Sequence, residues 1–239
     1  MRDGYKIIDM DTHVNPAHEV LEKYMEPSFR PRQPEFKPYL RVREISGVTS
    51  SGISFGAIPF DRFPGTAPSE EDDKPKAGGR SALEGRAGNT HRHPTQPAVQ
   101  EENSVGRLHD MDLEGRDIDY IIPGTWATTV TGIEDVSLAE GMYAAYHNYM
   151  QEYTSPDPTR LKSAIQVPGA DPEWAISEIK KWSNSPWAVA VWVHLREGLP
   201  IDDPSLYPIW DVVNDLDLPY IHHSFFFEPP YFPGYRDIW

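Results

Sequence analysis

The stretch Lys6-Ile7-Ile8-Asp9-Met10-Asp11-Thr12-His13-Val14 decides the predicted fold. Its β-favouring apolar residues run directly into acidic and imidazole side chains, a pattern typical of a buried strand with polar groups at its C-terminal end. Because alternate residues of a strand point to the same side, Asp9, Asp11 and His13 are expected to share a face. A carboxylate and an imidazole at this spacing can bind one divalent cation, although a turn or N-cap Asp followed by an ordinary His gives the same pattern.

A second stretch decides between these alternatives: Leu216-Asp217-Leu218-Pro219-Tyr220-Ile221-His222-His223-Ser224. Here another short apolar run ends in histidine, again where a buried strand would meet a loop. Two such strand ends, about 210 positions apart, converge only if their strands lie parallel around a common axis. Otherwise one of these histidines stacks on Phe225 to Phe227 and the other caps a loop.

The chain between these two stretches alternates predicted helices with predicted strands. Asp171 before a proline is the expected N-cap of one of the helices. Predicted helices cover 105–114, 137–154, 172–182 and a segment from Asp203-Pro204, and predicted strands cover 118–122, 161–167, 188–193 and a fifth one that ends at His222. This alternation predicts the α/β class with a parallel sheet.

The ordered set of motifs resembles the amidohydrolase superfamily, in the branch that contains aminocarboxymuconate-semialdehyde decarboxylase, resorcylate decarboxylases and related hydrolases. Ile8 to His13 is similar to the first-strand motif, with Asp-x-His in place of the usual His-x-His. The segments that resemble later parts of the family pattern are Asp110 to Asp119, Tyr146 to Met150, Asp157 to Leu161 and Pro219 to His222. The resemblance implies a (β/α)8 TIM barrel, of which residues 1–239 contain about the first five βα units, with 41–106 as an irregular insertion, a lid or a subunit contact.

The same resemblance implies a metal site held by Asp11, His13 and His222. Its cation would be Zn²⁺, with Mn²⁺ or Fe²⁺ as alternatives because a carboxylate replaces one imidazole. His223 should then point away from the barrel axis, since neighbours in a strand alternate. His194, at the end of the fourth strand, is assigned the catalytic position; it could also orient another group or be an ordinary buried histidine.

Three later strands of the family barrel are absent from this sequence, together with a later histidine and the eighth-strand aspartate. Either a second polypeptide completes a split barrel, or the sequence is a truncated product. An open sheet edge beside the aromatic run from Phe225 to Trp239 would aggregate if nothing covered it, which favours a complementing chain and an oligomer.

Composition narrows the class of function. The formal net charge of −15 excludes partners that need a basic patch, such as nucleic acid or an anionic membrane, and zero Cys excludes thiolate chemistry. The N-terminus has no apolar signal core, so a cytoplasmic location is expected. Several aromatic residues are expected at the mouth of the barrel: Phe55, Phe60, Phe63, Trp126 and Phe225 to Phe227. They favour an aromatic or unsaturated carboxylic acid as the small-molecule substrate, with decarboxylation as the reaction. The alternatives are a metal-dependent hydrolase of an amide, ester or lactone, and a non-catalytic scaffold subunit.

Overall fold

The structure is a computed structural model that describes residues 4–14, 18–45, 48–53, 104–123, 130, 133–195 and 199–223. The aromatic residues predicted to line the mouth lie outside these residues, as does most of the predicted insertion. The strands are β1 (Ile8–Val14), β2 (Leu40–Ile45), β3 (Val48–Ile53), β4 (Ile118–Pro123), β5 (Leu161–Pro168) and β6 (Ala188–His194). The α-helices are α1 (His18–Tyr24), α2 (Ser104–Glu114), α3 (Val136–Tyr153), α4 (Pro172–Trp182) and α5 (Tyr207–Asp215), and Arg30–Tyr39 and Pro204–Leu206 are 3-10 helices.

The main sheet has four parallel strands in the order β1-β4-β5-β6, with helices between them in the chain. The predicted α/β class is therefore confirmed. The predicted fifth strand is reduced to one parallel bridge between Val191 and Tyr220, in which Val191 donates to the Pro219 carbonyl and Ile221 donates to the Val191 carbonyl, both at 2.9 Å. The sheet thus continues beyond β6 for only a single residue pair in the described part of the chain.

Local sequence signals set the helix ends. The Asp171 carboxylate accepts the backbone N–H of Trp174 at 2.9 Å, and Pro172 occupies the first turn, as the N-cap prediction requires. Helix α2 ends at Glu114. The Gly115 that follows has a φ of +76°, which suits a residue without a Cβ, and the N–H of Arg116 then bonds the Met111 carbonyl at 2.9 Å. None of the helices in the described ranges has both the length and the apolar character needed to cross a bilayer.

Two irregularities shape the sheet near the strand ends. Between Asp9 and Thr12, β1 has one residue more than the facing segment of β4, which makes a β-bulge. Strands β4 and β5 pair only over Asp119–Ile121 and Leu161–Ser163, whereas β5 and β6 stay paired up to Pro168 and His194. The C-terminal half of β5 is therefore paired with β6 but not with β4.

The stretch 41–106 is not irregular throughout. Strands β2 and β3 pair antiparallel from Leu40↔Ile53 to Ile45↔Val48, and α2 begins at Ser104. The alternation of apolar with polar residues in Leu40–Ile45 and the Ser46-Gly47 pair that follows are hairpin signals. The sequence prediction gave more weight to the polar and proline-rich composition farther along this stretch, and it was wrong for residues 41–45 and 48–53.

The hydrophobic core lies between the sheet and helices α3 and α4. Tyr143 and Tyr146 of α3, together with Trp187, are at most 1% exposed and are among its largest fully buried side chains. Burial of large aromatic surfaces supplies much of the free energy that holds such an α/β layer together. This core fixes the helices behind β5 and β6, so the C-terminal ends of these strands are held on a rigid support.

Candidate metal centre

Three side chains meet at the C-terminal end of β1: Asp11, His13 and His223. One ligand atom from each lies within 4.8 Å of the others. His223 Nε2 is 3.1 Å from Asp11 Oδ1, and His13 Nε2 is 3.7 Å from the same oxygen. The side chains of Asp11, His13 and His223 are 71%, 30% and 22% exposed, so the group is reachable from solvent.

These separations suit a shared cation. Two ligand atoms bound at about 2.1 Å to one tetrahedral ion lie about 3.4 Å apart, and the two observed distances fall on either side of that value. One carboxylate with two imidazoles is a donor set that Zn²⁺ and Mn²⁺ both accept. The residues present therefore fit a divalent metal ion.

The bulge in β1 decides which carboxylate joins the group. A regular strand would place Asp9, Asp11 and His13 on one face, but the extra residue between Asp9 and Thr12 breaks this alternation. Asp9 instead accepts the backbone N–H of Asp11 at 3.1 Å, and its other oxygen lies 3.7 Å from Arg116 Nη1. Asp9 thus supports the bulge and is not one of the clustered ligands.

The third residue of the cluster is not the one expected from the sequence. Asp11 and His13 are brought together as predicted, but His223 joins them, whereas the exposed His222 has its ring edge-on to Trp192 at 6.4 Å. The prediction assumed strand alternation up to His222. In the structure only Tyr220 makes a sheet bridge, and residues 221–223 are not in a strand, so alternation no longer determines their direction.

Arg107 of α2 holds the strand that carries His13. Its guanidinium donates to the His13 carbonyl at 2.7 Å, to Tyr153 Oη at 2.9 Å and to the fully buried Asp119 at 3.2 Å. Asp119 also pairs with Arg116, so one buried carboxylate is shared between two arginines. No short motif in the sequence predicts this network, because Arg107 and Asp119 lie in different elements of the structure.

His194 lies outside the Asp11 cluster. It is 3% exposed, donates from Nε2 to Gln166 Oε1 at 2.6 Å, and stacks on Trp192 at 4.6 Å. Burial, and secondarily the nearby His222, lower the pKa of His194 to about 3. His194 is therefore a neutral imidazole near pH 7, which agrees with the buried, hydrogen-bonded alternative and gives no imidazolium for acid catalysis.

A protein-family model described as Amidohydrolase matches residues 125–237, slightly less than half of the chain. The predicted resemblance to the amidohydrolases is confirmed over this range. No curated protein sequence matches the chain.

Solved structures show the same fold. The chain is similar to 5-carboxyvanillate decarboxylase from Novosphingobium aromaticivorans, complexed with manganese and 4-hydroxy-3-methoxy-5-nitrobenzoic acid, at 15% identity and a TM-score of 0.56, over 99% of this chain and 55% of that one. It is similar to an amidohydrolase from Mycobacterium avium subsp. paratuberculosis at 16% identity and a TM-score of 0.57, over 91% and 57%. A 2,6-dihydroxybenzoate decarboxylase from Rhizobium matches at 25% identity and a TM-score of 0.46, over 55% and 42%.

The two structures with TM-scores of 0.56 and 0.57 establish the architecture. The described residues form part of a (β/α) barrel, as predicted, with β1, β4, β5 and β6 as successive barrel strands. The chain spans a little over half the length of the two structures with the higher TM-scores, 55% and 57%. In such barrels the functional groups stand at the C-terminal ends of the strands, which is where the Asp11 cluster lies.

Proposed function

We propose that this chain carries the metal-binding half of an enzyme that decarboxylates an aromatic or unsaturated carboxylic acid. The observation that carries the proposal is the convergence of Asp11, His13 and His223 at the C-terminal end of a barrel strand. The decarboxylase that shares the fold binds manganese and a substituted benzoic acid, which supports this choice of chemistry. We propose Zn²⁺ or Mn²⁺ as the ion, held by these three side chains.

The residues around the cluster suit an anionic planar ligand. A divalent ion supplies positive charge that orients and polarises a substrate carboxylate. Trp192 is nearly fully buried, and its ring lies 6.1 Å from that of His223, so an aromatic side chain packs beside the cluster. The neutral His194 can take part in hydrogen bonding but not in proton donation as an imidazolium, so the proton that replaces CO₂ has to come from another group.

We also propose that a second chain covers the free edge of β1. Within the described ranges β1 pairs only with β4, and Tyr5, Ile8 and Met10 are 74%, 49% and 57% exposed. An uncovered parallel strand edge with apolar side chains invites pairing with another strand. Cross-linking and co-purification should recover a partner that covers this edge. A fully active protein that is monomeric by light-scattering chromatography would contradict this proposal.

Metal content tests the cluster directly. The purified protein should retain about one equivalent of Zn or Mn by elemental analysis, and both His13→Ala and His223→Ala should remove most of it. His222→Ala is the matched control and should retain the ion, because its ring lies against Trp192. Loss in His222→Ala with retention in His223→Ala would restore the ligand set predicted from sequence, and an absence of metal in the unaltered protein would remove the enzyme proposal.

Reaction type is tested by product. CO₂ release from hydroxybenzoates, abolished by His13→Ala, is the expected result. The match to the Amidohydrolase family supports one alternative, hydrolysis of an amide, ester or lactone, for which chromogenic esters and anilides serve as substrates. Activity on these compounds without CO₂ release would replace the decarboxylase proposal by the hydrolase, and metal binding without either activity would favour the scaffold subunit.

A further inference from the structure

The bulge in β1 turns one carboxylate away from the metal cluster. Asp9 lies opposite Asp119 in the register of β1 and β4, and His13 lies opposite Ile122. Positions 119 and 122 face opposite sides of the sheet because they are three apart in β4, so Asp9 and His13 face opposite sides as well. In a regular strand, residues four apart share a side. The extra residue of the bulge therefore removes Asp9 from the face that carries the ligands.

The Asp9 carboxylate nevertheless bonds the backbone of a candidate metal ligand. Its Oδ1 accepts the backbone N–H of Asp11 at 3.1 Å. A bulge takes a residue out of the regular ladder of backbone hydrogen bonds, and an Asp side chain that bonds the backbone two residues on is a local substitute for the lost acceptor. Asp9 supplies this acceptor at the residue whose own carboxylate lies beside His13 and His223.

A row of alternating charges holds the Asp9 carboxylate in place. Its Oδ2 lies 3.7 Å from Arg116 Nη1, and the same guanidinium pairs with the fully buried Asp119. Asp119 also pairs with Arg107 at 3.2 Å, and Arg107 donates to the His13 carbonyl at 2.7 Å. This row begins and ends on β1, so it holds the strand before and after the carboxylate ligand. Both arginines are largely withdrawn from solvent, so these attractions are screened less than those of surface pairs.

We propose that Asp9 is a positioning residue for the metal ligand Asp11. The inference rests on the proposed function, because it concerns how the chain holds that same cluster ready for its ion. The Asp11 side chain is 71% exposed, so packing does little to fix it, and the bond from its backbone N–H to Asp9 sets the direction in which its carboxylate extends. Removal of a partner that orients a metal ligand commonly lowers metal affinity about 10- to 100-fold.

Two substitutions separate the hydrogen-bond acceptor of Asp9 from its charge. Asp9→Ala removes both and should weaken Mn²⁺ binding to the full chain about 10-fold, measured by electron paramagnetic resonance of unbound Mn²⁺. Asp9→Asn keeps an oxygen that accepts the Asp11 N–H and should restore the affinity to within about threefold, the margin for the lost attraction to Arg116. Without metal, amide hydrogen exchange at Asp11 should be faster in Asp9→Ala than in Asp9→Asn.

Asp157→Ala is the matched control. Asp157 Oδ1 accepts the backbone N–H of Thr159, which is also two residues on and also at 3.1 Å. This contact precedes β5, at the opposite end of the parallel sheet from the cluster. The control therefore removes the same charge and the same kind of hydrogen bond without touching β1, and it should bind Mn²⁺ within about twofold of the original chain.

Two results would overturn the positioning role. One is Mn²⁺ affinity in Asp9→Ala equal to that of the original chain. The other is a loss that Asp9→Asn shares in full, which would show that the charge and not the bond to the Asp11 N–H supports the site. Mn²⁺ binding that depends on Asp9 in this way, without CO₂ release from hydroxybenzoates, would instead refute the decarboxylase proposal and retain the positioning role.

Discussion

Asp119→Asn should destabilise the protein strongly. Asp119 is fully buried and pairs with both Arg107 and Arg116, which are themselves only 12% and 17% exposed. The substitution keeps the shape but leaves two guanidinium groups without their shared carboxylate. Breaking a buried ion pair on one side costs about 3–5 kcal/mol, because the remaining charge is left uncompensated. The network also holds the His13 carbonyl through Arg107, so the substitution should destabilise the strand that carries Asp11 and His13 in particular.

Urea denaturation followed by tryptophan fluorescence measures this cost. At a denaturant dependence of about 2 kcal/mol per M, the midpoint should fall by about 1.5–2.5 M. Asp112→Asn is the matched control, because Asp112 is 65% exposed and pairs with Arg160 at the surface, where such a pair contributes about 0–1 kcal/mol. A loss of less than about 1 kcal/mol in Asp119→Asn, equal to that in the control, would refute the idea that buried charge pairing holds β1 in place.

Three further predictions concern pH, metal affinity and backbone conformation. The pKa of His194 in the folded protein is about 3, below its value in the unfolded chain, so His194 contributes its full stability above about pH 6.5. As the pH falls from there towards 3, the free energy of unfolding should decrease by about 1.4 kcal/mol per pH unit. His194→Gln should remove this part of the pH dependence in urea melts, and an unchanged pH dependence would contradict the assignment. Arg107→Lys should weaken Mn²⁺ binding about 10-fold in calorimetry, because lysine cannot bond His13, Tyr153 and Asp119 at once, and equal affinity would show that this support is dispensable. Gly115→Ala should cost about 1–2 kcal/mol in thermal melts, because alanine is strained at a φ of +76°, and an unchanged melting temperature would contradict this.

The sequence predicted the βα framework because its signals are local. Apolar periodicity marked α3, and an N-cap followed by proline marked the start of α4 at Pro172. Short apolar runs between these helices marked β4, β5 and β6 to within one residue. Signals of this kind depend only on neighbours in the chain, so they can be recognised without any knowledge of the tertiary contacts.

The details of the site depend on contacts between distant segments, and these could not be predicted. The bulge at Asp9 is a property of the register between β1 and β4, which the β1 sequence does not contain. The choice between His222 and His223 depends on where pairing with β6 stops. The partners of Asp119 and Gln166 come from other elements, so neither residue stood out as anything more than a polar position in a strand.

One backbone N–H in the sheet, that of Gln166, is bound by the imidazole of His147 in α3 instead of a carbonyl. Burial lowers the pKa of His147 below that of a free histidine, although the neighbouring Glu178 opposes that effect. Once Nε2 is protonated it can no longer accept the Gln166 N–H. The hydrogen bond that holds the Gln166 N–H at the centre of strand β5 is therefore sensitive to acid. As the pH is lowered, amide hydrogen exchange at Gln166 should accelerate before the protein unfolds globally.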